Sequence, residues 1–192
     1  MKEVLISIQP QWVEKILNGE KTIEIRKTMP KCKFPCKVYI YCTKGKNSLI
    51  GITRKGEELP YSDGQIADKD VFYTIPKTPI ERWRELGKVV AEFTLNTVTT
   101  LWQNNKDKTS TARVVDKDVF EKQTCMTWKQ YCEYHKCKNG KYPNSYAWHI
   151  EDLKIYKKPK ELSEFICRKP LKRPPQSWCY IKEVLWKKQA RK

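Results

Sequence analysis

Gly19-Glu20-Lys21-Thr22-Ile23-Glu24-Ile25-Arg26 decides how the rest of the chain reads. It follows a short segment, 10–17, in which Trp12, Val13, Ile16 and Leu17 recur at helical spacing behind Pro10, a residue suited to a first helical turn. That helix is expected to stop at Asn18-Gly19. A strand is expected over 21–27, with Ile23 and Ile25 on one face and Thr22, Glu24 and Arg26 on the other. A carboxylate and a guanidinium two residues apart on one strand face stand about 7 Å apart. They can therefore touch one ligand together. Charges alternating on a strand also describe an ordinary solvated face, and spacing alone favours that reading. Strict alternation would put Lys21 opposite Glu24 and Arg26. A Lys21 held in the turn before the strand escapes that rule and can join them.

Working outward, 4–8 reads as a first strand and 38–43 as a central one. The segment 44–78 carries four of the seven glycines and weak periodicity, and is expected to be a loop-rich excursion with a hairpin inside one domain, 1–192. A short helix is expected at 79–86, ended by Gly87, and then a long β run at 88–101. Residues 104–111 read as a loop. Thr127 is placed to cap a helix reaching 136 that buries Trp128, Tyr131 and Cys132. Strands are expected at 146–156 and 178–185 and a short helix at 159–165. The stretch 169–175 is basic and proline-rich, hence extended. The end, 187–192, is a basic tail. Several strands with short helices imply an α+β domain or a small barrel.

The formal net charge is +17, from 39 Lys and Arg against 22 Asp and Glu. This excess points to a polyanionic partner, nucleic acid before anionic membrane. No apolar run approaches spanning length, and the opening apolar run is too short for a signal peptide, so a cytoplasmic location is expected. There thiols stay reduced. The eight cysteines form no Cys-x-x-Cys pair, and neither a structural metal nor a cofactor is expected. Seven Trp and ten Tyr supply core mass and, interleaved with Lys and Arg, the stacking faces that single-stranded nucleic acid uses.

Gly19, Lys21, Glu24 and Arg26 match Gly-x-Lys-x-x-Glu-x-Arg at every defined position, and the chain resembles the ASCH domains, a branch of the PUA-like β-barrels. The lead-in Leu5-Ile6-Ser7-Ile8-Gln9-Pro10-Gln11-Trp12, the stretch Gly87-Lys88-Val89-Val90-Ala91-Glu92-Phe93, and Tyr146-Ala147-Trp148-His149-Ile150 resemble that family too. So do Pro159-Lys160-Glu161-Leu162 and, as in longer prophage-associated members, Pro174-Pro175-Gln176-Ser177-Trp178-Cys179-Tyr180. The resemblance implies a PUA-like small mixed barrel flanked by short helices. It also implies a groove between the first helix and the barrel that binds RNA or a nucleotide, single-stranded nucleic acid being favoured. Lys21, Glu24 and Arg26 are its candidate binding residues, with Trp12, Tyr146, Trp148 or Trp178 as stacking faces. One enzymatic branch deacetylates acetylated cytidine with Lys, Thr and Glu. Lys21 matches its lysine, Glu24 occupies the threonine position, and Thr124 falls near the glutamate. Lys21, Glu24 and Thr124 are thus the candidate catalytic set of an amidohydrolase alternative. A ribonuclease is the other alternative, although His135 and His149 form no recognisable pair. Oligomeric state is left open.

Overall fold

The computed structural model describes residues 2–44, 50–53, 58–59, 71–74, 86–104, 110–112, 116–137 and 142–186. The chain opens with β1 (Glu3–Ile8), α1 (Pro10–Leu17), β2 (Ile23–Arg26) and β3 (Cys36–Cys42). β1 lies parallel to β3, which α1 and β2 make possible by carrying the chain back between them. The five-stranded sheet runs in the order β11 (Glu151–Lys160), β7 (Val89–Leu95), β3, β1, β13 (Trp178–Ile181), so β3 is central as expected. β1, β3 and β7 read as largely apolar runs because both of their faces are covered. Val4, Ile6, Ile8, Val38 and Ile40 pack beneath Val13 and Ile16 of α1. Leu5, Tyr39 and Tyr41 point the other way, against Phe165, Ile181 and Val184.

A second sheet has the order β2, β10 (Ser145–His149), β8 (Val98–Asn104), β9 (Ser110–Ala112). Ile23, Ile25 and Ala147 pack against Phe120, Met126 and Tyr131, contributed by α2 (Lys117–Thr124), α3 (Trp128–His135) and the turn between them. On the other face Glu24 lies opposite Trp148 and Arg26 opposite Tyr146 across the β2–β10 ladder. Both aromatics belong to the core shared with the first sheet. The alternation expected for β2 is therefore present, yet its charged face is not solvated. It points into the molecule, and Glu24 and Arg26 are only 6% and 7% exposed.

Two expected single strands are each two. The run at 88–101 bends at Asn96-Thr97 into β7 and β8, and the run at 146–156 bends at Ile150 into β10 and β11. Each bend passes the chain from one sheet to the other. The sheets thus join at one corner, but among the described residues they do not close into a barrel: β2 and β13 remain separate edges.

Helix α2 has no counterpart in the sequence reading. Its apolar stripe is thin, with only Phe120 and Thr124 buried, and it is fixed instead by Asp116 accepting from the Val119 amide at 2.9 Å. Helix α3 is where Thr127 predicts it, with a full capping box through Gln130. It buries Tyr131 and His135, whereas Trp128 is 42% exposed, stacked on Tyr131. The helix expected at 159–165 contracts to a 3-10 turn, Leu162–Glu164, because β11 already runs to Lys160. The closing strand divides into β13 and β14 (Glu183–Val184), which pairs with β12 (Phe165–Ile166). Within the excursion, β5 (Glu58–Leu59), β4 (Ile50–Thr53) and β6 (Val71–Thr74) form a three-stranded antiparallel sheet in that order. All of the helix expected at 79–86 except Leu86, and the basic tail at 187–192, lie outside the described residues. No helix among the described residues is long and apolar enough to cross a membrane.

Candidate functional site

The site is assembled where α1 turns into β2. Gly19 has φ +75°, a left-handed conformation that a side chain would strain, although a Cβ there would meet nothing within 4 Å. Its conformation lets the amides of Glu20 and Lys21 both donate to the Lys15 carbonyl. Lys21 thereby leaves the helix before the strand begins, and the question of its orientation resolves in favour of the turn. Its ammonium is 3.3 Å from Glu24 Oε2 and donates to the main-chain carbonyl of Thr124 at 2.7 Å. It also lies 5.3 Å above the Trp12 ring. Because Thr124 ends α2, this cation sits at the negative end of that helix.

Glu24 is the bridge. Its second oxygen, Oε1, is 3.0 Å from Arg26 Nη2. Arg26 Nη2 also donates to the Ser7 carbonyl at 2.7 Å, and Nη1 reaches the Ser177 hydroxyl at 3.5 Å. Arg26 Nε is buried without a hydrogen-bond partner. Three buried charges, two positive and one negative, thus share one network of net +1. Leaving any of them alone in that environment would cost several kcal/mol.

The network lines a cavity of about 720 Å³. Lys21 and residues 24–28 form one wall and 174–177 the other, with Ser7, Gln9, Trp12, Thr43, Met126 and Tyr134 between them. The cavity occupies the seam left between β2 and the approach to β13. Arg26 spans that seam, and the Ser7 amide and hydroxyl tie it further by donating to the carbonyls of Ser177 and Pro175. Tyr134, on α3, stands with its ring 4.9 Å from Lys27 Nζ. Burial raises its phenol pKa above the ordinary value; Arg26 opposes that rise and Glu24 adds to it.

The predicted residues divide cleanly. Lys21, Glu24, Arg26 and Trp12 come together on the cavity. Tyr146 and Trp148 do not: they are buried core residues, Trp148 completely, with its indole directed at the Thr28 carbonyl. Strand register explains this, since both face inward on β10 between the sheets. Trp178 packs at 5.9 Å from Trp148 and donates to the Thr28 hydroxyl, so it buttresses the wall instead of lining it. Thr124 approaches Lys21 only through its backbone. Its own hydroxyl is fully buried, donates to the Phe120 carbonyl and accepts from the Met126 amide, as a helix-end cap does. Tyr134, Ser7 and Ser177 also line the cavity, without a role that the sequence alone assigns them. Ser7 and Ser177 are unremarked within otherwise apolar or proline-rich stretches, and only the folding of 174–177 over β1 brings them to the motif. The eight cysteines are free thiols, with Cys32 and Cys36 sulfurs 3.1 Å apart.

Two mixed sheets, joined at one corner and opened at a seam beneath the first helix, give an α+β fold of the PUA-like type. Within that type its fold is that of the ASCH proteins. The crystal structure of ASCH from Zymomonas mobilis matches over 99% of this chain and 94% of that one, with a TM-score of 0.56 and 16% identity. A serine-to-alanine variant of the same protein matches equally, with a TM-score of 0.56 over 95% of its length. In sequence, 50 residues are 36% identical to an ASCH domain-containing ribonuclease from Z. mobilis; they make up 26% of this chain and 34% of that protein. The match thus spans about a third of the curated relative. No family model matches the chain.

Proposed function

We propose that the seam cavity binds single-stranded RNA by seating one nucleotide against Lys21, Glu24 and Arg26. The observation that carries this reading is the convergence of the three charges, net positive, on a cavity whose volume suits a small ligand. The Glu24 carboxylate retains acceptor capacity for the exocyclic amine of a base. Arg26 and Lys21 favour phosphate or a base-edge acceptor. Trp12 and Tyr134 are the aromatic rings on the cavity wall, replacing Tyr146, Trp148 and Trp178 as stacking surfaces. The net charge of the chain and the ribonuclease name of the curated relative support an RNA ligand over a neutral metabolite.

Fluorescence anisotropy with a labelled oligocytidylate, whose bases carry the exocyclic amine, tests this. Affinity should fall with salt at a log–log slope of about −0.7 per phosphate contacted, hence about −3 for four contacts. Arg26→Lys keeps the charge but loses the planar fork, and should weaken binding about tenfold. A flat salt response, or an Arg26→Lys variant that binds like wild type, would remove the basis for the proposal.

A second reading, RNA cleavage, is favoured by the relative's name alone. Any proton transfer would fall to Lys21, Glu24 or Tyr134, because neither His135 nor His149 lines the cavity. Tyr134→Phe should then abolish cleavage of a labelled single strand while preserving binding. The amidohydrolase alternative lacks a hydroxyl nucleophile in the cavity at Thr124, and acetate release from acetylated cytidine is its direct check.

A further inference from the structure

A second cavity, of about 700 Å³, adjoins the first. Thr43 and Pro174 line both, so the two are neighbours along the wall formed by the 171–177 segment. Its charged lining consists of Lys44, Lys172, Arg173 and Glu161. Glu161 is paired with Lys88 at 3.2 Å. Lys44, Lys172 and Arg173 are exposed, and among the described residues no carboxylate lies within ion-pair distance of them.

Lys44 leaves the end of β3 beside Gly87. Gly87 takes φ +97°, and its amide donates to the Cys42 carbonyl at 2.9 Å, closing the chain against the end of β3. The Lys44 stem lies directly over it: a Cβ on Gly87 would stand 2.7 Å from Lys44 Cε. Glycine suits that left-handed backbone, and the flexible lysine stem passes over it. The two cations on the opposite side come from the extended, proline-bounded stretch Lys172-Arg173-Pro174-Pro175, which cannot coil away into a helix.

We propose that this second cavity is a phosphate-binding subsite for nucleotides adjoining the one seated at Lys21, Glu24 and Arg26. The ligand is then a continuous single RNA strand that runs along residues 171–177, not a free mononucleotide. The inference rests on the seam cavity's binding RNA, and it adds the length and direction of the footprint. Three cations flank the cavity, its lone carboxylate is already neutralised, and its shared wall leads straight into the motif. Such a surface recognises backbone phosphates without reading bases.

The test compares a labelled cytidine dinucleotide with an oligocytidylate octanucleotide, using wild type and the double variant Lys172→Glu/Arg173→Glu. Both residues are exposed, and circular dichroism melting confirms that the variant folds. Wild type should gain about tenfold or more in affinity on lengthening the strand, with a steeper salt slope for the longer ligand. The double variant should lose that gain, and its octanucleotide slope should flatten by about 1.4, the share of two phosphates. If the variant keeps the full length-dependent gain and slope, the subsite is wrong while the seam cavity stands. If wild type binds neither ligand, the RNA reading of the seam falls and carries the subsite with it. If wild type binds both lengths equally, the footprint is one nucleotide and the proposal is overturned.

Discussion

At the scale of single residues, the molecule turns on Glu24. Its carboxylate is the one anion between two buried cations, so its removal leaves both uncompensated. Glu24→Gln should destabilise the fold by about 3 kcal/mol, measured by urea denaturation. A loss below about 1 kcal/mol would mean that solvent reaches Lys21 and Arg26 more freely than their burial implies. His135 offers a second check. It is buried against Tyr131 and Tyr134, its Nδ1 has no partner, and burial, aided by Lys27, lowers its pKa to about 4. A pKa depressed in the folded state means that the unfolded chain binds the proton more readily. Stability is therefore full above pH 6.5 and is lost as pH falls from there toward 4. Wild type should lose on the order of 1–3 kcal/mol across that window beyond what His135→Phe loses. Equal losses in the two proteins would show that His135 is not the titrating group.

At the scale of elements, the helices that frame the cavity depend on their ends more than on their stripes. α3 begins with Thr127 and Gln130 satisfying each other's backbone donors, and Trp128 at its start is largely solvated. Thr127→Ala should cost about 1 kcal/mol and loosen the wall carrying Tyr134. Thermal unfolding of the variant indistinguishable from wild type would argue that tertiary contacts, not the cap, hold α3. The same contrast explains which elements are legible. α1, β1, β3 and α3 carry strong local signals: a proline and apolar spacing, β-prone apolar runs, a capping residue. α2 carries only Asp116 and one well-buried aromatic, Phe120, and goes unread. The bends at Asn96-Thr97 and Ile150 have no glycine or proline to mark them, so each pair of strands reads as one.

At the scale of the whole molecule, the first sheet is a layer between two cores. Leu5 and Ile6 are adjacent on β1, both fully buried, and they face opposite clusters. Leu5→Ala and Ile6→Ala should therefore each cost about 2–5 kcal/mol in denaturant unfolding. A near-neutral result at one of them would expose that face to water and undo the two-sided arrangement. Because both faces of this sheet are occupied, the concavity beside the motif lies at its edge, where β13 and β2 fail to meet. The open barrel and the seam cavity are thus one feature, and the Arg26 network is what spans the gap.

The local sequence alone determined the period of β2, the left-handed stop at Gly19, the extended course of the proline-rich stretch and the excess of positive charge. These depend on dihedral preferences and composition, which a residue carries wherever it is placed. Whether the charged face of β2 meets water or the interior depended on what lies across from it. β10 supplies Trp148 and Tyr146, and the 174–177 segment arrives from more than a hundred residues away to seal the other side. Burial is a property of the assembled neighbours, so only tertiary structure could turn an apparently solvated strand face into the floor of a pocket, and two expected stacking aromatics into core.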